Sequence, residues 1–316
     1  MKTRVSIVLA LLCLGLCAQA ARAQDYPSKP LQLIVPFPPG GGVDIMSRAF
    51  AQALDKQLNQ RVVVNNRGGA GLSLGMSALV QAPADGYSVL YSPVTPLTIQ
   101  PHRMKGLPYA RDSVIPLCQT FENMFVVAAG PKSSFNSFQE VIAFARANPG
   151  KLRYATSGVA SSPHLSGAEL WKRAGVELTD VPYASEIAAA PHLTSNEVEL
   201  GIVTAFAASS QKLRVLAVFA NKRTAPFEQV PTTAELGYPI LPSGYGGLFV
   251  RTETPPAIIA RLTAACREAT QDAGYRAMTE KQFQQSDYLD RARFTERLEA
   301  DIKAKAQLIP SLNLPE

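Results

Sequence analysis

The chain is poor in the residue types that metals and nucleophilic catalysis use. Three histidines, four cysteines and one tryptophan are spread over 316 residues. No group of His, Cys, Asp or Glu falls at metal-ligand spacing, so no metal is expected. The formal charge is only +6 and no basic run has aromatics interleaved with it, which argues against a nucleic-acid partner. Beyond the first 23 residues no apolar run approaches the roughly 20 residues that a membrane span needs. Internal repeats and low-complexity tracts are also absent. A P-loop ends in Gly-Lys-Ser/Thr and a dinucleotide fold uses G-x-G-x-x-G; the glycine loop at residues 40–42 has neither, so no cofactor is expected.

What is present begins with an export signal. Lys2 and Arg4 precede the apolar run Val5 to Leu16, and small residues follow, ending in Ala21-Arg22-Ala23. Residues 1–23 carry three basic residues and no acid, so cleavage near Ala23 leaves the mature chain at +3. Cys13 and Cys17 lack the small residue that precedes a lipoprotein cysteine, and export with release is expected rather than anchoring. Cys118 and Cys266 survive processing in a compartment that permits a disulfide; sequence leaves their pairing open.

The mature chain is organised around Leu31 to Arg48. A short apolar run (Leu31, Leu33, Ile34, Val35) reads as a buried strand, and Ile45, Met46, Ala49, Phe50 and Ala53 fall at helical spacing after Asp44. Between them Pro38, Gly40, Gly41 and Gly42 form a loop whose backbone is bare of side chains. The next helix aims its positive end at that loop, which makes it a cradle for an anion, a carboxylate rather than a phosphate. A strand-to-helix turn with Asp44 as cap and no ligand accounts for the same residues, and the local pattern leaves both readings open.

Arg61 to Asn65 and Tyr87 to Tyr91 read as further strands with a helix from Ser73 to Gln81 between them, and β-α-β-α-β order predicts a parallel sheet with ligands at the strands' carboxyl ends. The stretch Ser92 to Thr98 falls at that edge. The alternation restarts at Phe125. There, Thr156, Ser157, Gly158, Ser161 and Ser162 follow a strand and precede a helix with Pro163 in its first turn. His164 sits beside this loop, either to donate to a ligand or to pack. Tyr183 and Tyr245 are candidates for the cleft wall or for the core. The expected fold is α/β with two lobes, each a mostly parallel sheet flanked by helices. Residues 24–122 and 244–316 form the first lobe and 123–243 an inserted second lobe, with hinge crossings near 118–123 and 240–245.

Gly71-Leu72-Ser73-Leu74-Gly75 matches the nucleophile elbow of serine hydrolases. Such an enzyme needs an acid and then a histidine later in the chain, and none of His102, His164 and His192 lies in the final stretch. No catalytic residue is therefore assigned, and the serine hydrolase stands only as the rival reading.

The succession Tyr26-Pro27-Ser28-Lys29-Pro30, Val35-Pro36-Phe37-Pro38-Pro39-Gly40-Gly41-Gly42-Val43-Asp44, Asn66-Arg67-Gly68-Gly69-Ala70-Gly71, Asp85-Gly86-Tyr87, Thr156-Ser157-Gly158, Val181-Pro182-Tyr183 and Val230-Pro231-Thr232-Thr233-Ala234-Glu235 resembles the Bug family, the periplasmic solute-binding proteins of tripartite tricarboxylate transporters. The resemblance implies a Venus-flytrap fold, expected as a monomer, that binds a small carboxylate-bearing organic acid for the membrane subunits of a transporter, or for a sensor kinase. It also implies that the loops Pro38 to Asp44 and Thr156 to Ser162 hold one carboxylate through backbone groups, hydroxyls and bridging water. The family commonly has asparagine where Ser73 stands. After Val181-Pro182-Tyr183 it usually continues Lys-Gly-Ser, where this chain has Ala184-Ser185-Glu186, and its usual aspartate is replaced around Val203-Thr204. Glu186 either faces the cleft, repelling a distal carboxylate by about 1 to 4 kcal/mol, or points into solvent. Tyr183, Glu186 and Thr204 complete the candidate site.

Overall fold

A computed structural model describes residues 26–240, 244–284 and 288–312. The signal-peptide reading of residues 1–23, and residues 241–243 of the second crossing, lie outside the described residues. Two five-stranded sheets organise the chain. The first has the order β2 (Val62–Asn66), β1 (Leu31–Val35), β3 (Ser88–Pro93), β10 (Tyr245–Arg251), β4 (Val114–Glu122). The second has the order β7 (Thr179–Pro182), β6 (Arg153–Thr156), β8 (Leu200–Thr204), β5 (Phe125–Ala129), β9 (Arg214–Val218).

The sheets are mixed rather than mostly parallel. Strand β1 pairs in parallel with β2 and β3, and β6 with β7 and β8. Strand β10 runs against β3 and β4, and β5 against β8 and β9. Both reversed strands are the ones by which the chain enters a sheet from the other lobe. Cys118 to Glu122 is part of β4 and not a free crossing; the chain changes sheets at Asn123 and Met124. Asn123 donates from its backbone N (3.0 Å) and its Nδ2 (2.9 Å) to the carbonyl of Gly244, so the two crossings are tied to each other.

Helix α1 (Gly42–Leu58) follows β1 and buries Val43, Met46, Phe50, Ala53, Leu54 and Leu58 on one stripe. It stops at Asn59, which takes the left-handed conformation (φ 51°) that asparagine tolerates better than most residues. Phe50 packs on Tyr91 and Tyr275 at centroid distances of 5.2 and 5.1 Å, at the centre of the first core. Helix α2 (Ser73–Gln81) and the short α3 (Thr95–Thr98) follow β2 and β3; in the second lobe α4 (Phe138–Ala147), α5 (Ser162–Ala174), α6 (Glu186–Ser195) and α7 (Ala205–Ser210) flank the sheet. Helices α8 (Pro256–Gln271), α9 (Ala273–Lys281) and α10 (Arg291–Ser311) return to the first lobe. The sequence pattern suggests one helix from Pro256 to Ala273; Asp272 breaks it, accepting from the backbone N of Gly274 and Tyr275 to start α9. The turns α3 and α7 are too short to show a period and have no counterpart in the sequence reading.

Arg297 of α10 forms a two-pronged pair with Glu122 (2.9 and 2.7 Å), next to the first crossing. Further along α10, Ile309 joins Ile99, Ala160 and Leu165 in a small apolar cluster that draws on both lobes, and Lys172 donates to the Ser311 carbonyl. Among the described residues no helix is long and apolar enough to cross a membrane. Cys118 of β4 and Cys266 of α8 form a disulfide that closes a span of 148 residues and so encloses the whole second lobe. In the chain-entropy picture such a link stabilises chiefly by restricting the unfolded state. Replacing both cysteines by alanine is expected to lower unfolding free energy by about 2 to 4 kcal/mol, measured by denaturant titration; an unchanged midpoint would assign the link no share of stability.

Candidate functional site

The loop after β1 is shaped by a buried acid. Asp44, 2% exposed, accepts from Gly40 N (2.9 Å), Arg48 Nε (3.0 Å), Arg48 Nη2 (2.9 Å) and Asn66 Nδ2 (2.8 Å). Burial alone would raise its pKa, but the bonds from Arg48, Gly40 and Asn66 outweigh it and hold the carboxyl below its ordinary range. Asp44 is thus occupied within the first lobe and acts on the loop's shape. Asn66 also donates to the Phe37 carbonyl (2.9 Å), and Gly68 packs so closely on Phe37 and Pro38 that an added Cβ would sit 3.3 Å from their backbone. The two glycine loops of the first lobe therefore stack, leaving the side chain of Pro38 exposed. Gly41 is the N-cap of α1 and no side chain caps it. Around Gly40 and Gly41 nothing lies within 4 Å of where a Cβ would stand. The start of a 17-residue helix is left with its backbone open.

In the second lobe the loop between β6 and α5 is braced from behind. Thr156 donates to Asp180 Oδ1 (2.9 Å), and His164 accepts the Ala160 N–H at Nδ1 (3.0 Å) while its Nε2 stands 3.7 Å from Asp180 Oδ2. Ser161 caps α5 by accepting from His164 N (3.2 Å). Gly158 turns the loop at φ 113°, a value that favours glycine, and Ser157 remains partly exposed beside it. His164 is buried, with one ring nitrogen already taken by the loop. Burial, with the nearby charge of Arg103, pushes its pKa down to about 4, and burial pushes Asp180 up to about 6 against the opposing bond from Thr156.

Contacts between the lobes border the two loops. Thr95 Oγ1 and Ser162 Oγ are 3.1 Å apart, and Gln100 Nε2 donates to the carbonyls of Gly71 (2.9 Å) and Ala160 (3.3 Å). Elsewhere Gly42 faces Phe206 of α7. Thr95, Gln100, Phe206, Asp180 and Asn66 are additions to the candidates read from sequence. Thr95 lies in the stretch expected at the sheet edge, whereas Phe206 gives no sequence signal.

Glu186 neither reaches across the cleft nor points into water. Its two carboxylate oxygens accept from Thr204 N (2.6 Å) and Thr204 Oγ1 (2.8 Å), while Thr204 caps α7. Burial raises its pKa, with the Thr204 bonds offsetting only part. Tyr183 is partly exposed and packs on His192 at 5.1 Å; Tyr245 is 2% exposed, inside the first lobe under Arg297. Ser73 bonds Tyr109 Oη (2.8 Å) and contacts Met104, and no histidine is among its partners, so the elbow-like motif has no triad geometry. Among the described residues no group of three or more His, Cys, Asp or Glu is placed to hold a metal.

The His164–Asp180 pair gives opposed pH dependences. Between the ordinary 3.8 and about 6 the folded Asp180 keeps a proton that the unfolded chain has lost, so its contribution to stability falls as pH rises. Between about 4 and 6.5 the unfolded chain binds a proton that folded His164 refuses, so that contribution rises with pH. Relative to wild type, Asp180→Asn should gain stability as pH rises through the first window, and His164→Gln should lose it through the second. Thermal unfolding across pH 4 to 7 reads both slopes, and slopes of equal sign in the two variants would contradict the assignment.

The family model described as tripartite tricarboxylate transporter family receptor matches residues 46–314. The protein BugT of Bordetella pertussis is 34% identical over 261 residues, 80% of each chain. A solved structure described as a periplasmic transporter superposes with a TM-score of 0.85 at 28% identity, covering 91% of this chain and 98% of that one. The Rhodopseudomonas palustris protein Rpa4515 with adipate superposes at 0.81 and 24% identity, covering 91% and 98%. With two mixed sheets flanked by helices and an open helix start at a strand end, the chain belongs to the tripartite tricarboxylate transporter receptor family, whose members are solute-binding receptors and not enzymes.

Proposed function

We propose that the protein is a periplasmic receptor that captures a small carboxylate-bearing organic acid between its lobes and delivers it to the membrane subunits of a tripartite tricarboxylate transporter. The observation that carries this reading is the bare N-terminus of α1: glycines 40 and 41 have nothing within 4 Å of the point a Cβ would occupy, and no side chain caps the helix. Backbone N–H groups there, favoured by the helix dipole, suit a carboxylate without any lysine or arginine in the loop. The loop Thr156 to Ser162, at the start of α5, supplies hydroxyls and amides from the other lobe. Support also comes from the family match and from adipate in the structure of the R. palustris protein.

In this reading the lobes are residues 24–122 with 244–316, and 123–243, hinged near 118–123 and 240–245, after export and removal of residues 1–23. A solute that touches both lobes favours the closed state by its differential affinity. Isothermal titration with a panel of aliphatic, aromatic and dicarboxylic acids tests capture. Gly41 has φ −76° and free space around it, so Gly41→Val should keep the fold yet bind the acid at least tenfold more weakly, about 1.4 kcal/mol. An unchanged affinity in the folded variant would remove this loop from the site. Small-angle scattering should show a smaller radius of gyration with the bound acid.

A further inference from the structure

The start of α1 has a neighbour from the far end of the chain. Gln282, which closes α9, is 2% exposed, and its Nε2 has no hydrogen-bond partner. Its Oε1 lies 2.9 Å from where a Cβ on Gly42 would stand, and Cδ1 of Phe206, from the opposite lobe, lies 3.5 Å from the same point. Leaving a buried amide donor unpaired is costly, so its retention beside an uncapped helix start points to a partner that arrives with the ligand.

The segment that carries Gln282 is held from both sides. Phe283 takes the left-handed conformation (φ 55°) that ends α9, with Gln284 N donating to the Thr279 carbonyl (2.9 Å), and its ring packs on Phe227 of the second lobe at 5.8 Å. Gln284 donates from Nε2 to Asn123 Oδ1 (2.7 Å) at the first crossing. The Phe283–Phe227 and Gln284–Asn123 contacts hold the segment of Gln282 where the two lobes come together.

The opposite wall sets a second condition. The second-lobe segments 157–162, 183–186 and 204–206 contain no lysine or arginine, and Glu186 is their one charged residue. Glu186 is turned onto Thr204, so a second carboxylate reaching this wall would find the ring of Phe206 and no cation from these segments, and would lose its water uncompensated.

We propose that Gln282 is a specificity-determining residue of the site. Its side-chain amide donates to the carboxylate held at the α1 N-terminus while Phe206 packs on the solute's body, so the receptor prefers monocarboxylates with an apolar body to dicarboxylates of equal length. This rests on the carboxylate-receptor reading above. Isothermal titration of the mature chain with hexanoate, phenylacetate and adipate, on wild type, Gln282→Leu and Phe206→Ala, tests it.

Hexanoate is expected to bind wild type at least tenfold more tightly than adipate. Gln282→Leu should lose tenfold or more for hexanoate at a ligand-free thermal midpoint equal to or above that of wild type, and Phe206→Ala should lose at least fivefold for phenylacetate. If Gln282→Leu does not fold, Gln282→Asn, which retracts the same amide by one methylene, is read in its place with the same loss expected. Adipate binding as tightly as hexanoate, or undiminished hexanoate affinity in the folded Gln282 variant, overturns the proposal and leaves the receptor reading standing. Failure of wild type to bind any of the three acids while it binds another carboxylate of the panel also overturns only the proposal; failure to bind every acid overturns both.

Discussion

A carboxylate that never meets solvent keeps the candidate site in shape. Asp44 draws the Gly40 amide, the Arg48 guanidinium and the Asn66 amide onto its two oxygens, and each of those groups belongs to a different part of the first lobe. Gly40 belongs to the loop after β1, Arg48 to the second turn of α1, and Asn66 to the end of β2. Arg48 is half exposed, so its ion pair is screened by water and contributes modestly, while the bonds from Gly40 and Asn66 complete the set of donors on the buried carboxylate. The loop geometry is therefore set before a ligand arrives. The same bonds also take up the charge of Arg48, so the cradle beside it works through neutral donors.

The second lobe repeats the logic with different chemistry. His164 holds the Ala160 amide, Thr156 holds Asp180, and the loop from Ser157 to Ser161 rides on that frame. An imidazole with a depressed pKa stays neutral at physiological pH, so Nδ1 remains an acceptor for the loop amide. Both halves thus use buried polar side chains to aim backbone and hydroxyl groups. The difference is that the first frame contains an ion pair, whereas in the second the histidine is uncharged and the acid beside it is shifted upward by burial.

Much of this is legible in the chain. Strand β1, the glycine loop and α1 follow from an apolar run, bare glycines and a helical stripe, all local signals. The second loop is legible for the same reason. What escapes is nonlocal. Gln282 and Phe206 approach Gly42 from 240 and 164 positions away in the chain, and neither carries a local pattern that says so. For Glu186 the sequence offers only cleft or solvent, because no sequence rule pairs it with Thr204, 18 residues on. The direction of β5 and β10 is hidden because periodicity reports which face is buried and is silent on direction. Ser73 shows the converse: its motif is local and complete, and its tertiary partners, Tyr109 and Met104, are those of a packed hydroxyl.

The lobes are joined by more than two crossings of the chain. Asn123 binds Gly244 and receives Gln284, Phe283 anchors in the second lobe, and Arg297 grips Glu122 one residue before the crossing. These contacts gather at the crossings; beside the two loops, the hydroxyl pair Thr95–Ser162 and the Gln100–Ala160 bond each contribute about 1 kcal/mol net, next to the apolar cluster of Ile99, Ala160, Leu165 and Ile309. On the proposed receptor reading, a ligand bridging the α1 start and the Thr156 to Ser162 loop would add several hydrogen bonds that exist only in a closed form, and a few kcal/mol of differential affinity would move such an equilibrium from mixed to nearly complete. On the same reading, a solute that satisfies the first lobe but leaves a charge unpaired against the second would bind an open form and fail to stabilise a closed one.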